Sequence, residues 1–586
     1  MQNIKANISE EKSFISFEME NISIFKDQRL IIKMNRWNAY AEGVFLYIPV
    51  DETNLEILYK QAEVLFQSMG NRVEISDGVK TLNSLREREE LFIQSCKNAR
   101  SVWDGDLEPE HFKEFSKVIQ EKFKNVTLYK KQLLSAYHLA ATLSACNFSV
   151  PGAGKTIIVL AAYAYLNSLP KEDPRWVNCI FVVGPIACFR PWETDFALCF
   201  SREIKSVRFL PPMSAEQRRK IALGIDANHR DDELYLSHFQ TFSANKSLFC
   251  DLFRRNDKKV MLVIDEAHYI KGIDKVWSSA MLDAAPNANS RVILTGTPAP
   301  NGYEDLKNLF DFIHPDKNIL KFNLNQLKRM TKGKTSTDPL NEVARSFFTR
   351  ITKKNLNIPE PLYKTISVAM SPEQEKIYSI IESKVVNNRK QKKLFMNANL
   401  IRLRQAASNP MQLLEPIEKE LLENNMADDI FNQSINDISL YVKKFNNEIN
   451  LPKLTTLLNI ANEAIMKGER ILIWTYFIKN VDLITSYLKK HLSKVPIYVI
   501  TGATPVEHSD TNYNPDEDLT REKTLEQFRT SSPSVLIATP QCIGESISLH
   551  KECHKAIYYD RDYNCGLFIQ SKDRIHRVGL TANDVT

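Results

Sequence analysis

Ser149-Val150-Pro151-Gly152-Ala153-Gly154-Lys155-Thr156 is the stretch on which the reading of this chain turns. An apolar run, Ala145 to Val150, leads into it, and a helix-like run, Ile157 to Leu166, follows. Strand, glycine loop and helix in that order form a phosphate cradle. Gly152 and Gly154 lack Cβ atoms, so backbone N–H groups can close around phosphate oxygens. In that arrangement Lys155 reaches the β/γ-phosphates of a nucleotide, Thr156 holds Mg²⁺, and the helix N-terminus adds its dipole. Ser149 stands where the usual motif has its first glycine, and a plain glycine-rich turn is the competing reading of these eight residues alone.

Working outward, short β-rich runs alternate with helical stretches. Cys179–Gly184, Leu234–His238, Val260–Ile264 and Arg291–Leu294 read as strands, which argues a parallel sheet covered on both faces. Functional residues then belong at the carboxyl ends of those strands. Val260–Ile264 delivers Asp265-Glu266-Ala267-His268, in which Asp265 suits Mg²⁺ and Glu266 suits an attacking water. A solvated acidic turn fits poorly directly after a buried strand. Arg291–Leu294 ends in Thr295-Gly296-Thr297-Pro298, a tight polar turn. Upstream, Leu128-Tyr129-Lys130-Lys131-Gln132 offers an amide that donates and accepts, as an adenine edge requires; the bland alternative is a surface glutamine.

The alternation resumes in a second half at Arg470–Thr475, Ile497–Thr501, Ser534–Thr539 and Lys555–Tyr559, after the basic segment Arg350 to Lys354. The last motif is Gln570-Ser571-Lys572-Asp573-Arg574-Ile575-His576-Arg577-Val578-Gly579. Arg574 and Arg577, three apart, are expected on one helix face, where two guanidinium groups suit the charge of a transferred phosphoryl group.

The 586 residues allow three or four domains. The net charge of +6, from 77 basic against 71 acidic residues, is too small to argue nucleic-acid binding by itself, so any basic surface must be local. Nine cysteines without a CxxC pair argue for reduced thiols. His550-Lys551-Glu552-Cys553-His554 lacks the second ligand pair of a zinc site. No apolar run is long enough to span a bilayer, and Met1 to Lys12 carries no signal core, so no membrane partner is expected. The expected location is cytoplasmic, or nuclear in a eukaryote. Residues 1–115 read as a separate α+β domain: strand-like at Phe14–Ile24 and Leu30–Val50, helical at Leu55–Met69 and Leu82–Asn98, and without a catalytic constellation.

These motifs together resemble the Swi/Snf-related ATPases of helicase superfamily two, over Val126 to Val585. The resemblance also rests on Val183-Gly184-Pro185 with Trp192-Glu193, Ile270-Lys271, Asn301 with Asp305-Leu306, Ser371-Pro372-Glu373-Gln374 with Tyr378, and Leu403-Arg404-Gln405 with Asn409-Pro410. It implies an α/β chain of two RecA-like parallel-sheet lobes, 116–356 and 357–586, with helical insertions at about 310–345 and about 371–448. It implies ATP and Mg²⁺ as ligands and double-stranded DNA across both lobes. The nucleotide would meet Gln132, Gly152, Ala153, Gly154, Lys155, Thr156 and Gln570, and Mg²⁺ would meet Thr156 and Asp265. Lys155, Asp265, Glu266, Arg574 and Arg577 would carry catalysis. Lys328, Arg329, Lys332 and Lys334, then Arg389, Lys390, Lys392 and Lys393, would bind DNA phosphates.

The sequence departs from the family pattern at Ser149 and Pro151, at Gly544-Glu545-Ser546-Ile547-Ser548-Leu549, and at Leu580. It stops at Val585-Thr586 where the family continues, which reads as a truncated or an unusually short chain. A protein partner is expected either on residues 1–115 or through the missing C-terminal segment. The implied activity is movement along duplex DNA driven by ATP hydrolysis. The alternatives are a strand-separating DNA or RNA helicase and an ATP-gated scaffold that regulates a partner. The abundance of Lys, Asn and Ile points to an AT-rich microbial genome, and so to defence or repair.

Overall fold

A computed structural model describes the chain apart from residues 1–2, 10–12, 51–54, 76–92, 94–95, 98, 101, 103–108, 273–274, 316, 357, 388–392, 417–428, 506–519, 544–547, 564, 578–579 and 581–584. Most of the helix expected at Leu82–Asn98, the basic residues Arg389, Lys390 and Lys392, the Gly544–Ile547 stretch, and Val578-Gly579 lie outside the described residues, as does the side chain of Lys393. The chain divides into two compact units, Met1–Ala99 and Arg100–Thr586.

In the first unit, β1 (Asn3–Ile8), β2 (Phe14–Met19), β3 (Tyr40–Glu42), β4 (Phe45–Pro49) and β5 (Arg72–Ile75) form one sheet in the order β3-β4-β2-β1-β5. All pairs are antiparallel except β1 with β5. Alternate residues Ile4, Ala6, Ile15, Phe17, Leu46 and Ile48 are buried against helices α1 (Gln28–Trp37) and α2 (Leu55–Ser68). The strand expected across Leu30–Val50 is therefore corrected. Its first third is α1, because the Asp27 side chain caps the Arg29 N–H and Leu30, Met34 and Trp37 recur at helical spacing. The β-branched pair Ile31-Ile32 is exposed.

The second unit holds two all-parallel sheets. The larger one orders its strands β12-β6-β11-β10-β7-β9-β8, with β6 Ser144–Asn147, β7 Cys179–Val183, β8 Ser206–Phe209, β9 Leu234–Ser237, β10 Val260–Asp265, β11 Ser290–Leu294 and β12 Phe348–Thr349. The smaller one runs β14-β15-β13-β16, with β13 Arg470–Trp474, β14 Ile497–Ile500, β15 Ser534–Ala538 and β16 Lys555–Tyr558. These are the two RecA-like lobes expected from the sequence. Helices cover the sheets, so β7 and β15 are buried at every residue, which is why they read as unbroken apolar runs.

Five helices of this unit place the residues considered below: α3 (Lys130–Thr142), α4 (Lys155–Ser168), α5 (Phe189–Phe200), α6 (Leu324–Thr331) and α7 (Cys565–Lys572). The regions expected as insertions contain helices at Leu306–Ile313, α6 and Asp338–Ala344 in the first and at Pro372–Asn387, Lys393–Ser408 and Asp429–Lys444 in the second. No helix among the described residues is long and apolar enough to cross a membrane.

Candidate nucleotide site between two parallel sheets

The loop from β6 to α4 turns through two residues in left-handed backbone, Gly152 (φ +80°) and Gly154 (φ +79°). Each glycine also admits a close neighbour. A Cβ on Gly152 would stand 2.8 Å from Arg577 Cγ, and one on Gly154 would stand 2.6 Å from Gln132 Nε2. Gly154 caps α4 with no side-chain hydrogen bond, which leaves the helix N-terminus to an anion. Lys155 Nζ lies 3.4 Å from the Ser149 carbonyl, and Thr156 follows on the first turn. Ser149 itself is fully buried, and its Oγ accepts a hydrogen bond from Ile351 N at 3.0 Å. The residue that replaces the usual glycine thus ties the loop to the segment after β12.

Gln132 sits on α3 with both ends of its amide engaged. Its Oε1 accepts from Tyr129 N and its Nε2 donates to Ala153 O, each at 2.9 Å. One Nε2 hydrogen and one Oε1 lone pair remain for another partner.

Asp265 ends β10 with its carboxylate held from two sides. Oδ1 accepts from Glu266 N at 2.9 Å, and Oδ2 accepts from the indole N–H of Trp192 at 3.0 Å. Burial and the Glu266 charge push the Asp265 carboxyl up from its ordinary range. Glu266 is buried and adopts φ +52°, a conformation costing a non-glycine residue of order ~1–3 kcal/mol. Its own burial pushes its carboxyl up, but His268, with Nδ1 3.3 Å from Oε2, and the charges of Lys155 and Arg574 outweigh that and hold it down. A carboxylate so held stays ionised and orients a water better than it removes a proton.

The two arginines come from the other sheet. They are not on one helix face as expected, because α7 ends at Lys572, Arg574 lies in the turn beyond it and Arg577 in the irregular chain that follows. The Arg574 carbonyl accepts from Leu549 N, and Ile575 is buried in the core of that sheet, so the chain leaves the helical path. The turn still aims both side chains. Arg574 Nε donates to Gln570 O at 3.0 Å and Arg577 Nε to Asp573 O at 2.8 Å. Arg574 is 1% exposed. Burial and the neighbouring Arg574 bring Arg577 down to about 9, which leaves it charged at neutral pH.

Sequence reasoning missed the groups that hold this turn. Asp573, 1% exposed, pairs with Lys353 from the segment joining the sheets, and Lys353 Nζ lies 2.9 Å from His576 Nδ1. The other ring nitrogen, His576 Nε2, lies 2.6 Å from the Pro359 carbonyl. The basic segment Arg350–Lys354 and the acid within the arginine motif were the available signals. Gln570 is placed differently from the loop residues. With His268, Trp277, Thr297 and Gln541 it lines a cavity of ≈ 640 Å³ whose walls come from loops and helices of both lobes and include none of residues 149–156.

The donor set fits a magnesium nucleotide. Hard oxygens from Thr156 and Asp265, a lysine in the loop, two left-handed glycines and an uncapped helix start are the parts such a ligand needs. Among the described residues no group of three His, Cys, Asp or Glu is arranged to hold a metal by itself, so His550–His554 forms no such cluster.

Comparison with known proteins identifies the family. Residues 148–415 match the SNF2-related domain and residues 452–579 match the helicase conserved C-terminal domain, together more than half of the chain. The chain is 23% identical over 483 residues to the human SWI/SNF-related matrix-associated actin-dependent regulator of chromatin subfamily A containing DEAD/H box 1, covering 73% of this chain and 43% of that protein. It is 23% identical over 618 residues to the ATP-dependent helicase fft2 of Schizosaccharomyces pombe, covering 92% of this chain and 44% of that one. It therefore spans less than half the length of either relative. Among solved structures it is similar to a Sulfolobus solfataricus SWI2/SNF2 ATPase core in complex with dsDNA, at 19% identity and a TM-score of 0.35, covering 79% of this chain and 87% of that one.

Proposed function

Because the chain belongs to the SNF2-related family of ATP-dependent helicases and translocases, we propose that it hydrolyses ATP between its two parallel sheets and uses the cycle to move along duplex DNA. The observation that carries this reading is the approach of Arg577, from the smaller sheet, to Gly152 in the glycine loop of the larger one. Two half-sites that meet in this way become complete only when the lobes are closed.

In this reading Lys155 and the loop N–H groups bind the phosphates, and the remaining valences of the Gln132 amide meet the adenine. Thr156 and Asp265 hold Mg²⁺, which supplies charge neutralisation at the phosphates when bound. Glu266 orients the attacking water, and Arg574 and Arg577 stabilise charge on the transferred group. Opening after hydrolysis withdraws both arginines and shifts one lobe against the other. Exposed Lys328, Arg329, Lys332 and Lys334, on and just after α6, have no carboxylate partner among the described residues and would meet DNA phosphates.

The test is steady-state ATP hydrolysis without nucleic acid and with single-stranded DNA, duplex DNA or RNA, using Lys155→Ala as the blank. Stimulation by duplex DNA without strand separation supports the proposal. Unwinding of a tailed duplex moves the assignment to a strand-separating helicase. Turnover equal to the blank under every condition moves it to an ATP-gated scaffold.

A further inference from the structure

Trp192 lies on α5, seventy-three residues from the acid it touches, and is wholly buried. An indole N–H is a donor only, and burying it without an acceptor is costly, so its partner is part of its role. That partner is Asp265 Oδ2 at 3.0 Å, while Glu266 N takes Oδ1 at 2.9 Å. The two donors come from different elements and approach different oxygens, which fixes the carboxylate plane. Each oxygen keeps a further lone pair for another ligand.

This arrangement has a physical purpose beside a lysine. Lys155 is close enough for its charge to act on Asp265, yet its ammonium rests on the Ser149 carbonyl and forms no ion pair with Asp265 within 4 Å. A carboxylate free to rotate would swing onto that ammonium, and both groups would be lost to the nucleotide. We propose that Trp192 is a positioning residue whose indole N–H holds Asp265 turned toward the magnesium position and away from Lys155. This inference rests on the nucleotide site proposed above.

Trp192→Phe keeps most of the ring and removes the donor. The readout is the affinity for a fluorescent ATP analogue, measured with Mg²⁺ and again with EDTA. The expected result is unchanged affinity in EDTA and a loss of about tenfold in the Mg²⁺-dependent gain, the low end for removing a group that orients a metal ligand. In an Asp265→Asn background the same substitution is expected to add nothing, whereas a packing role alone would add its full effect. A Mg²⁺-dependent gain equal to that of the unaltered protein overturns the inference.

A second measurement does not depend on that variant folding. In ¹⁵N-indole spectra of the six tryptophans, one resonance is expected to move in Asp265→Asn; six unmoved resonances overturn the inference. Failure of the unaltered protein to bind the analogue at all would sink the nucleotide-site reading, and this inference with it. Normal binding with an insensitive tryptophan removes only the role given to Trp192.

Discussion

Arg577 and Gly152 are partners in shape: the glycine's missing side chain is the space that the arginine's aliphatic stem occupies, with 2.8 Å between a would-be Cβ and Arg577 Cγ. The glycine is also in left-handed backbone, so two separate requirements fall on one position. Gly152→Ala is expected to cost about 1–2 kcal/mol from backbone strain alone and to displace Arg577. ATP turnover should fall at least tenfold while ATP binding to the larger sheet persists. Undiminished turnover would show that the approach of the two residues is incidental.

The division of labour across the cleft makes a second expectation. Glu266→Gln and Arg574→Ala should each lower turnover by about 10³ or more, the scale of an arginine finger, while equilibrium ATP binding survives. Lys155→Ala should lose binding as well. Retained turnover in Glu266→Gln would remove Glu266 from the mechanism.

Half-buried Asp195, on α5 one turn beyond Trp192, gives a pH signature. Burial raises its carboxyl to about 6, with the charge of Arg577 pulling the other way. The folded chain therefore binds this proton more tightly than the unfolded chain, whose carboxyl keeps its ordinary value of 3.8. The stability contributed by the protonated form is complete below that value and is lost as pH rises through about 6. Asp195→Asn should raise the calorimetric unfolding midpoint at pH 8, and the gain should shrink toward zero at pH 4. Equal gains at both values would contradict the assignment.

Lys353 is the cation beside buried Asp573. Lys353→Met strands that carboxylate. The cost should be below the ~3–5 kcal/mol of a fully buried pair, because Lys353 is 29% exposed. Turnover should fall while ATP binding stays, because Asp573 O orients Arg577. Lys353→Met with Asp573→Asn should recover much of the lost stability in urea unfolding; no recovery would show that the pair is not coupled.

In the proposed function the basic residues on and after α6 serve DNA binding alone. Replacing Lys328, Arg329, Lys332 and Lys334 by Ala should weaken duplex binding and flatten the plot of log affinity against log salt by about 0.9 for each phosphate left unneutralised. Hydrolysis without DNA should not change. An unchanged salt slope would place the duplex elsewhere.

Much of this was legible because parallel strands covered on both faces leave continuous apolar runs. β7, β10, β13 and β15 were found that way, to within one residue. The edge strands β8 and β12 were missed: one alternates Ser206 and Arg208 with apolar residues, and the other has only two residues. α1 reads as strand because it holds the β-branched pair Ile31-Ile32, while the Asp27 cap and the 3.6-residue spacing mark it as helix. Spacing of three in the arginine motif fits helix and turn alike; tertiary contacts, the bond from Leu549 N to Arg574 O and the burial of Ile575, decide for the turn. The partners of the acids were invisible for a similar reason. Nothing local in Trp192 or Lys353 names a carboxylate far away in sequence.

The bond from Ile351 N to Ser149 Oγ, with Phe148 N on Thr349 O and Val150 N on Ile351 O, stitches the phosphate loop to the segment that leaves the larger sheet. That segment leads to Lys353 and on to the smaller sheet. In the proposed cycle a swing between the lobes would pivot close to the cradle itself. A small displacement at the loop would then act through a long lever arm and become a much wider sweep at the far edge of the smaller sheet.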